Sequence, residues 1–476
     1  MSDETIGYSR AIPRRRGYDV VVCGGGPSGT AAALAARRDG LRVLLVEAQG
    51  QLGGMATSGL VSHWLGGRTQ EGDWVVGGIF RSLVEEATQQ GYALMPSLSS
   101  DTTYQPHGWL PWFVHGIPMD PYGVAHFLDR KTLDNGIDLL LETYVVDALV
   151  SENRITDLIL QNKSGLFAVP ARAVVDATGD ADVAAAAGCA YEVGREEDGL
   201  TTPASLSFHV YNVDHRELGA YIERHHTPKF RAKIRELKEK GEWPFPYDIF
   251  ITVQLVQEDV AMVNTMRLPG INGIDGASRT QGLVQGRSEA LQLRDIFRKH
   301  FPGLGKAEIK CIAPTLGIRE TRRIKGAFRL TIEDLTSDRD FEDTVGFSIY
   351  GWDLPDPKKP SVQPLVDEST GGYINKVEKS LSTPIPYRVM VPQPVENVLT
   401  PGRSISVERD VLGPLRVMAP SMAMGEAAGT AASFMVTNDL AARAVDPDVL
   451  RERLRSVGAI VDRDALPPIS PRVDPE

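Results

Sequence analysis

The sequence has few cysteines and no pairing of them that would support redox or metal chemistry. Its three cysteines, Cys23, Cys189 and Cys311, lie far apart among 476 residues and form no C-x-x-C motif. This pattern excludes a zinc ribbon, a disulfide framework and a redox dithiol. We expect three buried, reduced thiols, with no metal site.

Long apolar runs and an excess of positive charge are also missing. The apolar stretch at residues 20–36 is interrupted by Gly24-Gly25-Gly26-Pro27, whereas a membrane span needs about 20 apolar residues. Asp and Glu number 62 against 51 Lys and Arg, which gives a formal charge of −11. Neither a nucleic-acid partner nor a polybasic membrane anchor is therefore expected. With no membrane span, we expect a cytoplasmic protein.

A strand, a glycine turn and a helix follow one another near the N-terminus. Residues 18–23 form a β-branched apolar run, which is typical of a buried parallel strand. Residues 24–29 fit G-x-G-x-x-G, and the alanine-rich residues 30–38 are helical up to Asp39-Gly40. A second apolar run, residues 41–46, ends at an acid. This order of elements predicts a dinucleotide-binding unit.

Each position of this motif has a physical role in holding a dinucleotide. The first glycine permits the tight turn, the second lets the backbone approach a pyrophosphate, and the third packs the helix close to the strands. The start of the helix offers free N–H groups and the positive end of its dipole to phosphates. The acid at the end of the second strand accepts hydrogen bonds from ribose hydroxyls. In order, these predicted cofactor-binding residues are Gly24, Gly26, Pro27, Ser28, Gly29 and Glu47.

Four further motifs identify a family. A second glycine-rich turn follows at residues 48–59, and residues 176–182 read Asp-Ala-Thr-Gly-Asp-Ala-Asp after a strand. The others lie at 317–326 and 398–432. Together with the first 60 residues, they resemble the bacterial FAD-dependent oxidoreductase family, often abbreviated FAD_oxidored, of the glutathione-reductase structural type. The resemblance covers roughly residues 18–440.

The resemblance implies FAD as the cofactor and an α/β fold. We expect a Rossmann-like FAD-binding domain with a β-meander, plus an inserted α+β substrate domain. The FAD-binding domain would comprise residues 1–189 and 386–476, and the substrate-binding domain residues 190–385. Within the first of these segments, residues 65–125 are expected to form loops over the flavin.

The resemblance also implies which residues lie against the flavin. The turn after Glu47 runs beside the isoalloxazine and ribityl chain, and a small-residue helix at 421–435 points its N-terminus at the pyrimidine ring, where a positive dipole end favours negative charge. Close helix–sheet packing through Gly425 and Gly429 is the alternative reading of that helix. The cofactor-binding residues implied in this way are Ala48, Gly53, Gly54, Met55, Val145, Thr178, Gly179, Gly402, Arg403, Met422 and Gly425.

Two positions near these residues have alternative interpretations. Many relatives carry Gly-Asp where this chain has Gly402-Arg403, so a contact from an acid to the ribityl chain is not expected here. Arg403 would instead reach the pyrophosphate. Asp180 and Asp182 are alternatively plain N-caps of the alanine-rich helix predicted at 183–187.

Candidate catalytic residues come from the chemistry of hydride removal, which needs a base and a donor for polar substrate groups. His63 follows the second glycine turn and is the best candidate for the base; a covalent link to the flavin and a structural role are its alternatives. Arg319 and Arg322 fit clamps for an anionic or polar substrate, since guanidinium offers a planar fork, and Arg416 is a rival candidate. Salt bridges with neighbouring acids are the alternative.

The sequence contains no second G-x-G-x-x-G after a strand, so no dedicated NAD(P)H domain is expected. We therefore expect an FAD-dependent dehydrogenase or oxidase that takes a hydride from a small polar organic substrate, a sugar or glycoside C–OH or a C–N bond. The electron acceptor stays open. The alternatives are a flavin monooxygenase or ene-reductase that uses free NAD(P)H, and a non-catalytic flavin-bound interaction protein.

Overall fold

The computed structural model describes residues 5–69, 71–95, 116–227, 229–337, 339–360 and 382–469. Residues 96–115 of the predicted loops at 65–125 lie outside these ranges. The strands are β1 Tyr18–Cys23, β2 Val43–Val46, β3 His63–Trp64, β4 Ile117–Pro118, β5 Asp138–Leu140, β6 Tyr144–Ser151, β7 Arg154–Asn162, β8 Gly165–Asp176, β9 Tyr191–Val193, β10 Phe208–Tyr211, β11 Thr252–Gln254, β12 Ala261–Val263, β13 Glu308–Ile312, β14 Arg322–Ile324, β15 Thr344–Ser348, β16 Thr383–Pro386 and β17 Val398–Leu399. The helices are α1 Pro27–Arg38, α2 Gly78–Gln89, α3 Pro121–Asp134, α4 Asp182–Ala186, α5 His215–His225, α6 Arg231–Glu239, α7 Gly276–His300, α8 Ile332–Thr336, α9 Leu412–Leu415, α10 Met418–Asn438 and α11 Pro447–Ser456.

A seven-stranded sheet organises the nucleotide-binding end in the order β5-β2-β1-β8-β7-β6, with β17 also paired to β8. The strands β5, β2, β1, β8 and β17 pair in parallel, whereas β6, β7 and β8 form an antiparallel meander. The predicted mixed α/β fold with a parallel sheet is therefore confirmed. Strand β1 is fully buried over Val20–Cys23, as its β-branched composition predicts.

Strand β8 belongs both to the antiparallel meander and to the parallel part of the sheet. It runs without a break over twelve residues. Its first half pairs antiparallel with β7, where Pro170 lies opposite Asp157, and its second half pairs in parallel with β1, where Ala171 lies opposite Tyr18. The strand continues without a break because its two halves pair with different neighbours, β7 along one edge and β1 along the other.

Helices α1 and α10 pack closely against each other. A Cβ on Gly425 would lie 2.0 Å from the carbonyl oxygen of Ser28, and a Cβ on Gly429 would lie 2.2 Å from that of Ala32. Gly425 and Gly429 therefore permit close packing, as expected, but against helix α1 and not against the sheet. Their small residues bring α10 against the first turn of α1, next to the glycine motif.

The hydrophobic residues divide into separate cores. One core joins one face of β1 and β2 to α1, α10 and residues 330–352, and another lies on the opposite face of the sheet. A third core is built almost entirely from residues 204–318, around the antiparallel sheet β11-β12-β10-β13 and helix α7. Residues 330–352 thus pack with the nucleotide-binding end. The domain limits at 190 and 385 stay a prediction.

The N-cap predicted for α4 is wrong. The N-cap is Ala181, with φ of 53°, and not Asp180 or Asp182. Asp176, at the end of β8, stabilises the start of the helix, because its Oδ2 accepts the Ala184 N–H at 2.9 Å. Asp180 is unavailable for capping because its carboxylate binds Arg403 at 2.6 Å.

The three cysteines are free, as expected, but only Cys23 and Cys189 are buried, whereas Cys311 is partly exposed. Among the residues that the structure describes, no helix is both long and apolar enough to cross a membrane.

Candidate functional site

Two glycines of the nucleotide motif are required by the packing of the chain itself. Gly24 has φ of +100°, and a Cβ there would lie 2.2 Å from the carbonyl oxygen of Ala177. A Cβ on Gly29 would lie 1.7 Å from the carbonyl oxygen of Gly24. These positions therefore bring the turn, the helix and the end of β8 together.

Gly26 differs from both of these glycines. The nearest heavy atom to a Cβ on Gly26 is the Cα of Gly54, 4.0 Å away, so this face of the turn is open. Gly54, with φ of +55°, lies opposite, and a Cβ there would come within 2.9 Å of the Gly26 Cα. The two glycines form an open backbone cradle at the N-terminus of α1, and a side chain on Gly26 would enter it. A diphosphate fits a cradle with these features.

Glu47 connects the glycine motif to the second turn. Its carboxylate accepts hydrogen bonds from the Gly25 N–H at 2.6 Å and from the Gln49 N–H at 2.7 Å. Burial raises the pKa of Glu47, and these backbone hydrogen bonds act in the opposite direction. The sequence motif predicted an acid at this position, but it did not predict these hydrogen bonds to the backbone. Ribose binding through the remaining lone pairs stays a prediction.

Arg403 joins two motifs of the family resemblance. It donates to the carbonyl oxygen of Gly179 at 2.7 Å, to that of Ile318 at 2.5 Å, and to Asp180 Oδ1 at 2.6 Å. The adjacent Gly402 has φ of +94°, and a Cβ there would lie 3.0 Å from Ser28 Oγ. Each guanidinium nitrogen thus has a partner within the protein, so contact with a pyrophosphate would use the remaining N–H groups. That contact stays a prediction.

Most of the predicted cofactor residues meet at the carboxyl end of the parallel strands. Gly24 lies beside Thr178, whose hydroxyl donates to Asp176 Oδ1 at 2.7 Å. Gly53 precedes a short 3₁₀ turn over Gly54–Ala56 that contains Met55. Val145 lies apart from them in β6, opposite Leu160, and packs against the core on the other face of the sheet. Pro27 and Ser28 begin α1, Gly425 and the buried Met422 lie in α10, and Ala48 is partly exposed after Glu47.

His63 lies deep in the protein. It is in β3, opposite Pro118, and is 1% exposed. Burial lowers its pKa to about 3, an effect that the nearby backbone of Gly116 opposes. The ring is therefore neutral at neutral pH. A neutral ring has the protonation state that a base requires, although the same shift weakens its basicity. Its role stays a prediction.

The predicted substrate arginines belong to a group of three. Arg319 is 7% exposed and donates to the carbonyl oxygen of Pro203 at 2.8 Å. Arg416 follows α9 and donates to Asp353 Oδ2 at 3.1 Å. Burial, followed by repulsion from Arg267 and Arg416, lowers the pKa of Arg319. Arg267 was not predicted from the sequence. An arginine within the largely apolar residues 260–268 is the signal that could have identified it.

The alternative of salt bridges with acids applies to Arg416, which pairs with Asp353, and to the neighbours of Arg319. Glu320, next to Arg319 in sequence, binds Arg323 at 2.7 Å and Arg409 at 3.1 Å. Arg322, the other predicted clamp, binds Asp182 at 2.8 Å. Arg319 itself forms no ion pair with a carboxylate among the described residues.

One family model matches most of the chain. The model of the family described as FAD dependent oxidoreductase matches residues 19–454. Digeranylgeranylglycerophospholipid reductase 2 of Methanopyrus kandleri is 26% identical over 171 residues, which are 34% of this chain and 37% of that protein. The match thus spans little more than a third of that curated relative's length.

Two solved structures align over most of the chain. The p-nitrophenol 4-monooxygenase PnpA from Pseudomonas putida DLL-E4 aligns over 93% of this chain and 87% of its own, with 12% identity and a TM-score of 0.44. A geranylgeranyl bacteriochlorophyll reductase-like protein from Thermoplasma acidophilum aligns over 93% and 92%, with 11% identity and a TM-score of 0.44. At this level of similarity, neither structure assigns a reaction.

Proposed function

The chain belongs to the FAD-dependent oxidoreductase family, and from this premise we propose that it is a dehydrogenase or oxidase that removes a hydride from a small polar organic substrate. The bond oxidised is a C–OH of the sugar or glycoside type, or a C–N bond. The observation that carries the proposal is the buried group of arginines formed by Arg319, Arg267 and Arg416. Arg319 lies close to the glycine turn at 53–59. A Cβ on Gly317, two residues before Arg319, would lie 3.6 Å from Met55 Cε.

FAD is the cofactor, and the cradle between Gly26 and Gly54 fits its diphosphate. We assign the phosphates to this cradle and to the first turn of α1, and the ribose to Glu47. The N-terminus of α10 would face the flavin ring. When bound, the flavin supplies two-electron chemistry and accepts a hydride from a substrate C–H bond.

The protein's own residues would orient the substrate, exclude water and receive a proton. The arginines at 319 and 416 would hold polar groups of the substrate beside the turn at 53–59. His63 is our candidate for the group that takes the proton from the substrate O–H or N–H. Its burial removes it from bulk water, so such a transfer would occur within a closed site.

The proposal is tested by anaerobic reduction of the FAD-loaded protein with a panel of alcohols, sugars, amines and NAD(P)H. We expect at least one organic donor to bleach the visible flavin band, and NAD(P)H alone to leave it unchanged. Bleaching by NAD(P)H without an organic substrate would favour the monooxygenase or ene-reductase alternative. No bleaching by any donor, with a protein partner retained on purification, would favour a non-catalytic flavoprotein.

The role of His63 is tested with His63→Asn and the matched control His225→Asn, since His225 is exposed. With the donor found above, we expect the rate of bleaching to fall by about 10²–10⁴-fold in His63→Asn, the usual contribution of a general base. The control should react at the wild-type rate. Equal rates in both variants would leave His63 with a structural role only.

A further inference from the structure

Two arginines lie around one short segment of the chain, residues 203–205, and a third lies within electrostatic reach of both. On one side of this segment, Ala204 exchanges backbone hydrogen bonds with Leu268 at 2.8 and 3.0 Å, which places Arg267 next to the segment. On the other side, Ser205 exchanges them with Gly317 at 2.7 and 3.1 Å, and Arg319 then donates to the Pro203 carbonyl oxygen. These backbone hydrogen bonds position the chain next to Arg267 and Arg319 relative to residues 203–205.

The third arginine reaches the same region from the start of α10. Arg416 lies between α9 and α10 and donates to the backbone oxygen of Asp353 at 2.6 Å and to its carboxylate at 3.1 Å. The hydroxyl of Tyr350 also donates to this carboxylate, at 3.2 Å. Repulsion from Arg416 contributes to lowering the pKa of both Arg267 and Arg319, so the three cations lie within electrostatic reach of one another.

This arginine cluster, defined as Arg267, Arg319 and Arg416, is buried and has little counter-charge. Arg267 is 5% and Arg319 is 7% exposed, and the side chain of Arg416 is 12% exposed. In the described parts of the chain, Asp353 forms the cluster's one ion pair with a carboxylate, through Arg416. Arg267 donates only to backbone carbonyl oxygens there. The Nε atoms of Arg267 and Arg416 are buried and have no hydrogen-bond partner in this part of the protein.

Two other arginines of the fold each pair with a carboxylate, which Arg267 and Arg319 do not among the described residues, although the Nε of Arg323 also lacks a hydrogen-bond partner there. Arg323 is 3% exposed and binds Glu320, and Arg409 Nε donates to both oxygens of the same carboxylate. Burying cations without such partners is costly, since removal from water is compensated only by an opposite charge and well-placed hydrogen bonds. Three cations beside Asp353 therefore leave an excess of positive charge that an anion would neutralise.

The arginine cluster also borders the proposed flavin position. A Cβ on Gly66 would lie 3.0 Å from Val417 Cγ2 and 3.5 Å from Tyr350 Cβ, which places Tyr350 at the N-terminus of α10. On the opposite side, Gly317 faces Met55 of the turn at 53–59. An anion held by the cluster would thus lie between the two elements that we assign to the flavin ring.

We propose that Arg267, Arg319 and Arg416 bind a carboxylate of the substrate, so that the molecule oxidised is a small carboxylic acid carrying the reactive C–OH or C–N bond. Guanidinium presents parallel N–H donors that match the two oxygens of a carboxylate. The carboxylate is unchanged in the reaction and orients the reactive carbon. This assignment rests on the proposed function, because it takes the flavin to be next to the cluster.

The test is calorimetric titration of the FAD-loaded protein with acetate and benzoate, and with their neutral analogues acetamide and benzamide. We expect at least one carboxylate to bind and its amide not to bind. Arg319→Gln and Arg416→Gln should each raise the Kd of that carboxylate at least tenfold, and Arg319→Lys should retain part of the affinity. The matched control Arg287→Gln removes the same charge from an exposed position on α7 and should leave the Kd unchanged.

Several results would overturn the assignment. It is wrong if neither carboxylate binds, if amide and acid bind equally, or if the arginine variants bind as the wild type does. Tighter binding of inorganic phosphate than of either carboxylate would also reject it, by indicating a phosphorylated substrate. If Arg319→Gln does not fold, Arg416→Gln alone decides. Since binding is measured without turnover, a negative result leaves the bleaching experiment, and hence the proposed function, to be judged separately.

Discussion

Gly425 is where an added methyl group should disturb stability and cofactor binding together. In Gly425→Ala, the new Cβ would start 2.0 Å from the Ser28 carbonyl oxygen, whereas ordinary contact begins at 3.4 Å. Overpacking of this kind costs about 1–3 kcal/mol, and alanine gains about 1 kcal/mol over glycine inside a helix. Because the obstacle is backbone, we expect the upper end of that cost and a net loss of about 2 kcal/mol.

The matched control is Gly219→Ala, inside α5, where an added Cβ has no heavy atom within 4 Å. This variant should gain about 0.5–1 kcal/mol from helix propensity alone. Unfolding midpoints of the two variants, measured without FAD, should therefore move in opposite directions. FAD occupancy should also fall in Gly425→Ala, because Ser28 belongs to the first turn of α1. Equal stability of the two variants would refute the argument that α1 and α10 require glycine at their contact.

Two further variants test the buried polar groups. Glu47→Gln replaces one acceptor by an N–H₂ group, so either the Gly25 or the Gln49 N–H loses its partner, which costs about 1–3 kcal/mol; flavin absorbance per protein should fall, and unchanged loading would contradict this role. Burial lowers the pKa of His209 from 6.5 to about 4. The unfolded chain therefore binds more protons between these values, and stability should decrease as the pH falls through that window, by about 3 kcal/mol in total. In His209→Asn, the unfolding midpoint should depend less steeply on pH. An unaltered slope would show that other groups cause the pH dependence.

The nucleotide-binding end was predictable because its signals are local. The glycine motif, the strand before it and the helix after it fall within thirty residues, and α1 ends at Arg38, directly before the predicted stop at Asp39-Gly40. The small-residue helix was also predicted, although α10 extends to Met418–Asn438 beyond the expected 421–435. These features depend on backbone geometry and helix propensity, which short stretches of sequence encode.

Features that depend on distant partners were not predictable. Asp180 does not cap α4, because Arg403, more than 200 residues away in sequence, takes its carboxylate. Arg267 carried no motif and joins Arg319 only through the pairing of residues 203–205 with two other segments. The placement of residues 330–352 in the core of the nucleotide-binding end also depends on packing that no local pattern encodes.

The central claim is that the FAD diphosphate lies against Gly26, and Gly26→Ala tests it most directly. Gly26 has φ of −72°, which alanine adopts freely, and the nearest atom to the new methyl group would be 4.0 Å away. The stability of the FAD-free protein should therefore stay within about 0.5 kcal/mol of the wild type. We predict that titration of the FAD-free variant with FAD, followed by flavin fluorescence, gives a Kd at least tenfold higher. An unchanged Kd would contradict the account, because it would place the diphosphate elsewhere.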